Sequence, residues 1–75
     1  METIVKGLYE HFKGKHYEVL DIALHSETLE PMVVYKALYA SDLPYGTLWV
    51  RPLAMFQQQV NLNGTLVPRF RRLKS

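Results

Sequence analysis

The chain has 75 residues, a net charge of +2 and no cysteine, which excludes disulfides and cysteine-ligated zinc sites. Its content of 48% apolar and 12% aromatic residues predicts a packed domain and not a disordered segment. No apolar run approaches the roughly 18 residues of a membrane-spanning helix, and residues 1–20 lack a secretory signal pattern. We therefore expect one domain over residues 1–75, located in the cytoplasm, without a membrane partner or a cofactor.

The first predicted element is a β-hairpin, because side-chain character alternates with a period of two over residues 7–19. With residues 13–14 as a two-residue loop, His11 would lie directly opposite His16. This register predicts that Phe12 is buried and that both histidines face solvent. Two opposed imidazoles are close enough to share a metal ion. A stable zinc site needs three or four ligands, however, so we predict no metal centre.

The alternation changes phase after Val19, which predicts a β-bulge or a sharp bend near Asp21. Residues 25–31 are predicted to form a polar connection, followed by a strand over residues 32–39 that is rich in Val, Tyr and Leu. A turn-rich segment then separates this strand from a short one at residues 47–51.

Pro52 suits the first turn of a helix, so residues 52–56 are predicted to be helical. Asn63-Gly64 is a strong signal for a two-residue hairpin turn, and residues 66–73 form the last predicted strand, with Pro68 favouring a sheet edge.

The elements together predict an all-β (mainly β) fold, an SH3-like barrel of five to six strands with one short helical turn before the last strand. Tyr9 and Tyr45 are predicted at the surface. The predicted core consists of Leu8, Phe12, Val19, Leu20, Ile22, Leu24, Val33, Tyr35, Leu38, Val50 and Phe56.

Four ordered motifs carry a resemblance to a known family. They are HFKGxxY from His11, AxHSETxE from Ala23, WVRPxxMF from Trp49 and NGxxVPRF from Asn63. With them the sequence resembles, over nearly its whole length, a family of short bacterial proteins known as domain of unknown function 1653. The resemblance implies a bacterial source. It implies no activity, substrate or cofactor.

The segment HSETLE is the most polar cluster and a candidate binding surface; its polar residues are His25, Ser26, Glu27, Thr28 and Glu30. A catalytic serine needs an imidazole nitrogen within about 3 Å, which neighbouring residues of an extended loop do not provide. Hydroxyl groups that bond nearby backbone amides would instead make this segment a structural turn, and both interpretations remain open.

Trp49 and Arg51 complete the candidate binding surface. If Leu48 and Val50 face inward, Trp49 and Arg51 share the outer face, and the guanidinium could pair with Glu27 or Glu30. The alternative is an arginine that binds a carboxylate or phosphate of a ligand.

The C-terminal segment combines Phe70 with Arg69, Arg71 and Arg72, which are candidate nucleic-acid contacts. The modest net charge weakens that interpretation. No nucleophile elbow, glycine-rich phosphate loop or metal signature is present, so we predict no catalytic residues. The sequence favours a non-enzymatic binding or accessory module with a peptide or protein partner. The alternative is a nucleic-acid-binding barrel that uses the basic C-terminal strand.

Overall fold

The structure, a computed structural model, describes residues 4–74. Within them seven strands and one short helix follow in chain order: β1 (Gly7–His11), β2 (His16–Leu24), β3 (Pro31–Ala37), β4 (Leu48–Pro52), α1 (Leu53–Phe56), β5 (Gln59–Leu62), β6 (Thr65–Pro68) and β7 (Phe70–Lys74). Five strands form an antiparallel sheet in the order β4-β3-β2-β1-β7, and β5 pairs with β6 in a separate hairpin. The predicted mainly β class and the short helix are confirmed. The fold is barrel-like without being a closed barrel, and the specific SH3-like assignment stays a prediction.

The β1–β2 hairpin differs from the predicted register by one residue. Glu10 lies opposite His16 and Tyr9 opposite Tyr17, and the loop has three residues in place of the predicted two. The N–H of Gly14 donates to the His11 carbonyl at 2.7 Å, and Gly14 has a φ of 101°. This combination of a turn and a left-handed glycine is the usual form of a three-residue hairpin loop. Because one residue of shift exchanges the two faces, Tyr9 is buried and the two histidines lie on opposite faces.

The predicted irregularity in β2 is confirmed. The pairing of β2 with β3 shifts between Val19 and Asp21, so that the extra residue Leu20 forms a bulge. Val19 pairs with Tyr35 before the bulge and Ile22 pairs with Val33 after it. The bulge therefore keeps apolar side chains on the inner face, which we define as the sheet face that packs against α1.

Four residues that were predicted to lie in the core are buried, namely Val19, Val33, Tyr35 and Phe56. It also contains residues that were not on the predicted list: Tyr9, Ala37, Leu53 and Phe70. Leu24 and Val50 were predicted to be buried and are 52% and 60% exposed, so those predictions are wrong. The remaining predicted members are partly buried: Leu8, Phe12, Leu20, Ile22 and Leu38.

Helix α1 brings Leu53 and Phe56 onto the inner face of the sheet. The rings of Phe56 and Phe70 stack with centroids 4.1 Å apart and an interplanar angle of 5°. The Asn63-Gly64 turn is confirmed between β5 and β6, where both residues have positive φ, as this two-residue turn requires. No helix in the described part of the chain has the length and apolarity needed to cross a bilayer.

Candidate functional site

The HSETLE segment forms a tight turn between β2 and β3. The His25 N–H donates to the Glu30 carbonyl at 2.9 Å, and the His25 Nδ1 accepts hydrogen bonds from the backbone N–H groups of Glu27 and Thr28. The Thr28 hydroxyl accepts one from the Glu30 N–H at 3.2 Å. Within residues 4–74 the Ser26 hydroxyl makes no hydrogen bond with His25. These contacts describe an exposed, internally bonded turn, and its role as a binding surface stays a prediction.

Strand β4 places Trp49 and Arg51 on the same face of the sheet, but this is the inner face. Trp49 pairs with Tyr35, which is buried, whereas Leu48 and Val50 point to the outer face and are each 60% exposed. Directly opposed residues of an antiparallel pair project to the same side, so the buried Tyr35 defines the direction of Trp49. The predicted outward direction of Trp49 and Arg51 is therefore wrong.

Arg51 contacts aromatic side chains. Its Nε donates to the Tyr35 hydroxyl at 3.3 Å, and its guanidinium carbon lies 5.8 Å from the centroid of the Phe70 ring. Among the residues that the structure describes, Arg51 forms no ion pair with Glu27 or Glu30, so the predicted pairing is wrong. The HSETLE turn precedes the start of β3, whereas the arginine side chain lies against the aromatic core.

Aromatic rings lie around Arg51 on the inner face. The Tyr17 ring contacts those of Tyr35 and Phe70, and its hydroxyl forms a hydrogen bond of 2.6 Å with the hydroxyl of Tyr39. Burial raises the pKa of the Tyr17 hydroxyl above its usual value, and the bond with Tyr39 raises it further. Tyr17 is therefore neutral near pH 7, and its hydroxyl is already paired with that of Tyr39.

His11 lies beside this cluster, with its ring centroid 5.0 Å from that of Phe70. Burial lowers the pKa of His11, and the positive charges of Arg69, Arg51 and Lys13 lower it further. The His11 Nδ1 accepts a hydrogen bond from the Lys13 N–H at 3.2 Å, which leaves Nε2 to carry the proton of the neutral ring. Within the described residues, no group of three His, Asp or Glu side chains is arranged to hold a metal ion.

The three C-terminal arginines lie in different environments. Arg71 forms an ion pair with Glu10, whose carboxylate oxygen lies 2.5 Å from its Nη2. The Arg69 Nη2 donates to the Gln58 side chain at 3.4 Å, while its Nε is buried without a hydrogen-bond partner among residues 4–74. Arg72 pairs with Tyr9 across the sheet, where burial raises the pKa of Tyr9 and the Arg72 charge opposes that rise. The segment is thus not a uniform basic strip.

The chain divides its charge unevenly. All seven acidic residues lie within residues 1–42, whereas residues 43–75 carry five of the nine Lys and Arg residues. The half of the chain that contributes β4 and β7 to the sheet is therefore entirely basic in its charged groups. This is a distribution along the sequence, since β4 and β7 form opposite edges of the sheet and Arg71 of β7 is paired with Glu10.

A groove of about 270 Å³ lies where the end of β1 meets the β5–β6 hairpin. It is lined by four apolar or aromatic residues, the Glu10–Arg71 ion pair and His11: Glu10, His11, Phe12, Leu62, Val67, Pro68 and Arg71.

His11 and Arg51 both lie on the inner face beside the Phe70 ring, which was not predicted from the sequence. His11 was singled out but assigned to the solvent face, and Arg51 was assigned to the outer face. The signal was present in Phe12-Lys13-Gly14, because a glycine in the third loop position favours the three-residue turn that the structure adopts.

Comparisons with known proteins agree with this fold. Residues 7–72 match the family described as "Protein of unknown function (DUF1653)". A similar solved structure is the crystal structure of a DUF1653 protein from Bordetella bronchiseptica, which has 37% sequence identity and a TM-score of 0.82. That match covers 93% of this chain and 87% of the other. No curated protein matches the chain. The chain therefore belongs to the DUF1653 family of proteins of unknown function.

Proposed function

We propose that this protein is a non-enzymatic binding module that recognises an extended segment of a protein or peptide partner along the open edge of β4. The observation that carries the proposal is the exposure of three consecutive apolar residues on an edge strand. Leu48, Trp49 and Val50 are 60%, 41% and 60% exposed, and β4 is the terminal strand of its sheet. Such an edge offers unpaired backbone groups to an added strand.

The hydrogen-bonding pattern supports this binding mode. The Ala37 N–H donates to the Thr47 carbonyl at 3.0 Å, so Thr47 directs its carbonyl toward β3. In an antiparallel ladder the direction of the backbone groups alternates, which assigns the N–H and C=O groups of Leu48 and Val50 to the open edge. A partner strand would pair with these two residues.

The charge distribution supports an acidic partner. No acidic residue lies between Leu43 and the C-terminus, and Arg51 lies within β4 itself. The HSETLE turn adjoins the same end of the sheet, because Pro52 of β4 pairs with Met32 directly after it. We therefore propose that this turn flanks the bound segment. We also propose that the protein acts in the cytoplasm.

The test selects peptides from a random display library against the wild-type protein and measures their affinity for a Leu48→Lys, Val50→Lys double variant. Both side chains are exposed on the outer face, so the variant should fold while its edge charges oppose strand addition. We expect affinity to fall by about tenfold or more, a loss of roughly 1.4 kcal/mol. Leu66→Lys, at a residue that is 63% exposed on β6, is the matched control.

Hydrogen exchange gives a second measurement. A selected peptide should slow exchange of the Leu48 and Val50 amides in the wild-type protein. Unchanged exchange, or equal peptide affinity in the double variant, would overturn the proposal. A wild-type dimer that the double variant dissociates would assign the edge to a second copy of the chain instead.

Nucleic-acid binding is the second candidate, favoured by the absence of acidic residues after Asp42. Binding of a single-stranded oligonucleotide would be measured at two salt concentrations. A nucleic-acid site must weaken steeply with salt, and an Arg71→Ala, Arg72→Ala variant should flatten that slope. Absence of binding at low salt would eliminate this candidate.

A further inference from the structure

The guanidinium of Arg51 has unused hydrogen-bonding capacity on the inner face of β4. Its Nε donates to the Tyr35 hydroxyl at 3.3 Å, whereas its terminal amino groups form no hydrogen bond or ion pair within residues 4–74. Among the side chains of these residues that are not exposed, the Arg69 Nε is the one buried nitrogen or oxygen without a partner. The unbonded amino groups of Arg51 are therefore accessible to a ligand from outside the chain.

This guanidinium is held in place before any ligand binds. The buried Tyr35 restrains it through the Nε, and its carbon lies 5.8 Å from the centroid of the buried Phe70 ring. A positive charge that is partly removed from water and has no counterion is stabilised when an anion pairs with it. The planar guanidinium matches a carboxylate in bidentate geometry, and a restrained one loses little side-chain entropy on binding.

The backbone pattern of β4 determines which residue of an added strand would lie opposite Arg51. Leu48 and Val50 direct their backbone groups to the open edge, so they would form the hydrogen-bonded pairs with an antiparallel strand. Trp49 and Arg51 would form the non-hydrogen-bonded pairs, in which opposed Cα atoms are about 4.5 Å apart and side chains lie closest. Because opposed side chains project to the same face, the partner residue opposite Arg51 would lie beside the guanidinium.

Trp49 provides the second position of the site. It pairs with the buried Tyr35 and lies on the inner face, yet it is 41% exposed. Antiparallel strands run in opposite directions, so the partner residue opposite Trp49 follows the one opposite Arg51 by two positions. A large apolar side chain at that position would cover the exposed part of the indole.

We propose that β4 recognises, in an antiparallel added strand, an acidic residue followed two positions later by a large apolar residue. The carboxylate accepts bidentate hydrogen bonds from the terminal amino groups of Arg51, and the apolar side chain packs against Trp49. This inference rests on the proposed peptide recognition along β4, and it specifies the chemistry and the direction of the bound segment.

The test measures, by isothermal titration calorimetry, the affinity of the full chain for three peptides with blocked termini: TEVFVT, TQVFVT and TVFVET. The second replaces the carboxylate by an amide, and the third has the same composition with the acidic and aromatic residues in the opposite order. We expect TEVFVT to bind about tenfold more tightly than either of the others.

A protein variant locates the preference. Arg51→Met should bind TEVFVT and TQVFVT equally, as a double-mutant cycle requires when these two groups are in contact. Lys6→Met removes one positive charge at an exposed ion pair with Asp21 and should keep the wild-type preference. Folding of each variant would be judged by the dispersion of amide signals. If Arg51→Met does not fold, the three peptides compared on the wild-type protein still decide the outcome.

Equal affinity of the wild-type protein for TEVFVT and TQVFVT, or no binding of TEVFVT, would overturn this inference. So would tighter binding of TVFVET, which would reverse the direction, and a preference for Glu that persists in folded Arg51→Met. Failure of strand addition itself has a different signature. The Leu48→Lys, Val50→Lys variant should lose affinity for all three peptides, and unchanged affinity would reject the peptide-binding edge whatever the effect of Arg51.

Discussion

Phe70 is the residue whose truncation should most directly test the packing described above. Its ring stacks on Phe56 and makes edge contacts with Tyr17 and Tyr35, with centroids 5.6 Å away in both cases. It is 7% exposed and connects β7 to the opposite side of the core. Phe70→Ala would therefore remove contacts to strands β2 and β3 and to helix α1 at once.

The expected loss can be bounded from general values. Truncation of a buried phenylalanine to alanine costs about 3–5 kcal/mol. A chain of 75 residues is expected to have a total stability of about 4–11 kcal/mol, so Phe70→Ala would remove a large share of it. Phe70→Leu retains most of the volume but loses the ring stacking, for which we expect about 1–2 kcal/mol.

The assay is equilibrium unfolding in urea, followed by far-ultraviolet circular dichroism and by tryptophan fluorescence from Trp49. Coincident transitions would support two-state analysis. Phe70→Leu should lower the unfolding midpoint at an unchanged slope, and Phe70→Ala should lower it much further. Leu66→Ala, at an exposed position, should stay within about 0.5 kcal/mol of the wild type. A Phe70→Leu variant as stable as this control would refute the assignment of Phe70 to the core.

Three further perturbations test other parts of the structure. The folded state lowers the pKa of His11 below its ordinary value of 6.5, so the unfolded chain binds the proton first as pH falls. The free energy of unfolding should therefore fall as pH drops through about 6.5 and level off below the folded pKa. His11→Gln should flatten this part of a plot of the urea midpoint against pH. Gly14→Ala should destabilise the hairpin by about 1 kcal/mol in thermal unfolding, since φ is 101° there while a Cβ would meet no atom within 4 Å. Tyr17→Phe, which removes the hydroxyl bonded to Tyr39, should cost about 1 kcal/mol in the same assay.

Features that depend on a local chemical signal could be predicted from the sequence. The Asn63-Gly64 turn follows from the ease with which both residues adopt positive φ. The bulge near Asp21 follows from the change of phase in the apolar pattern, and the short helix after Pro52 follows from the fixed φ of proline. In each case the residues that determine the conformation are neighbours in the chain.

Features that depend on contacts between residues far apart in the chain could not be predicted in the same way. Val50 and Leu48 are apolar and were expected to face inward, yet the sheet turns Trp49 toward the core because β3 presents Tyr35 opposite it. Both alternating sets of β4 side chains contain large apolar residues, so alternation alone does not determine which set faces the core. The inward Arg51 follows from this selection, whereas an outward Arg51 was expected to pair with the acidic residues of the HSETLE turn.

The length of one loop determines on which face of the sheet His11 lies. A two-residue turn at Lys13-Gly14 would place His11 opposite His16 in water, on the face away from Arg51. The three-residue turn, which a left-handed Gly14 permits, turns His11 inward against Phe70 and into the field of Arg51 and Arg69. The folded state therefore holds a partly buried imidazole among positive charges, so protonation of His11 should cost stability that a histidine exposed to water would not lose.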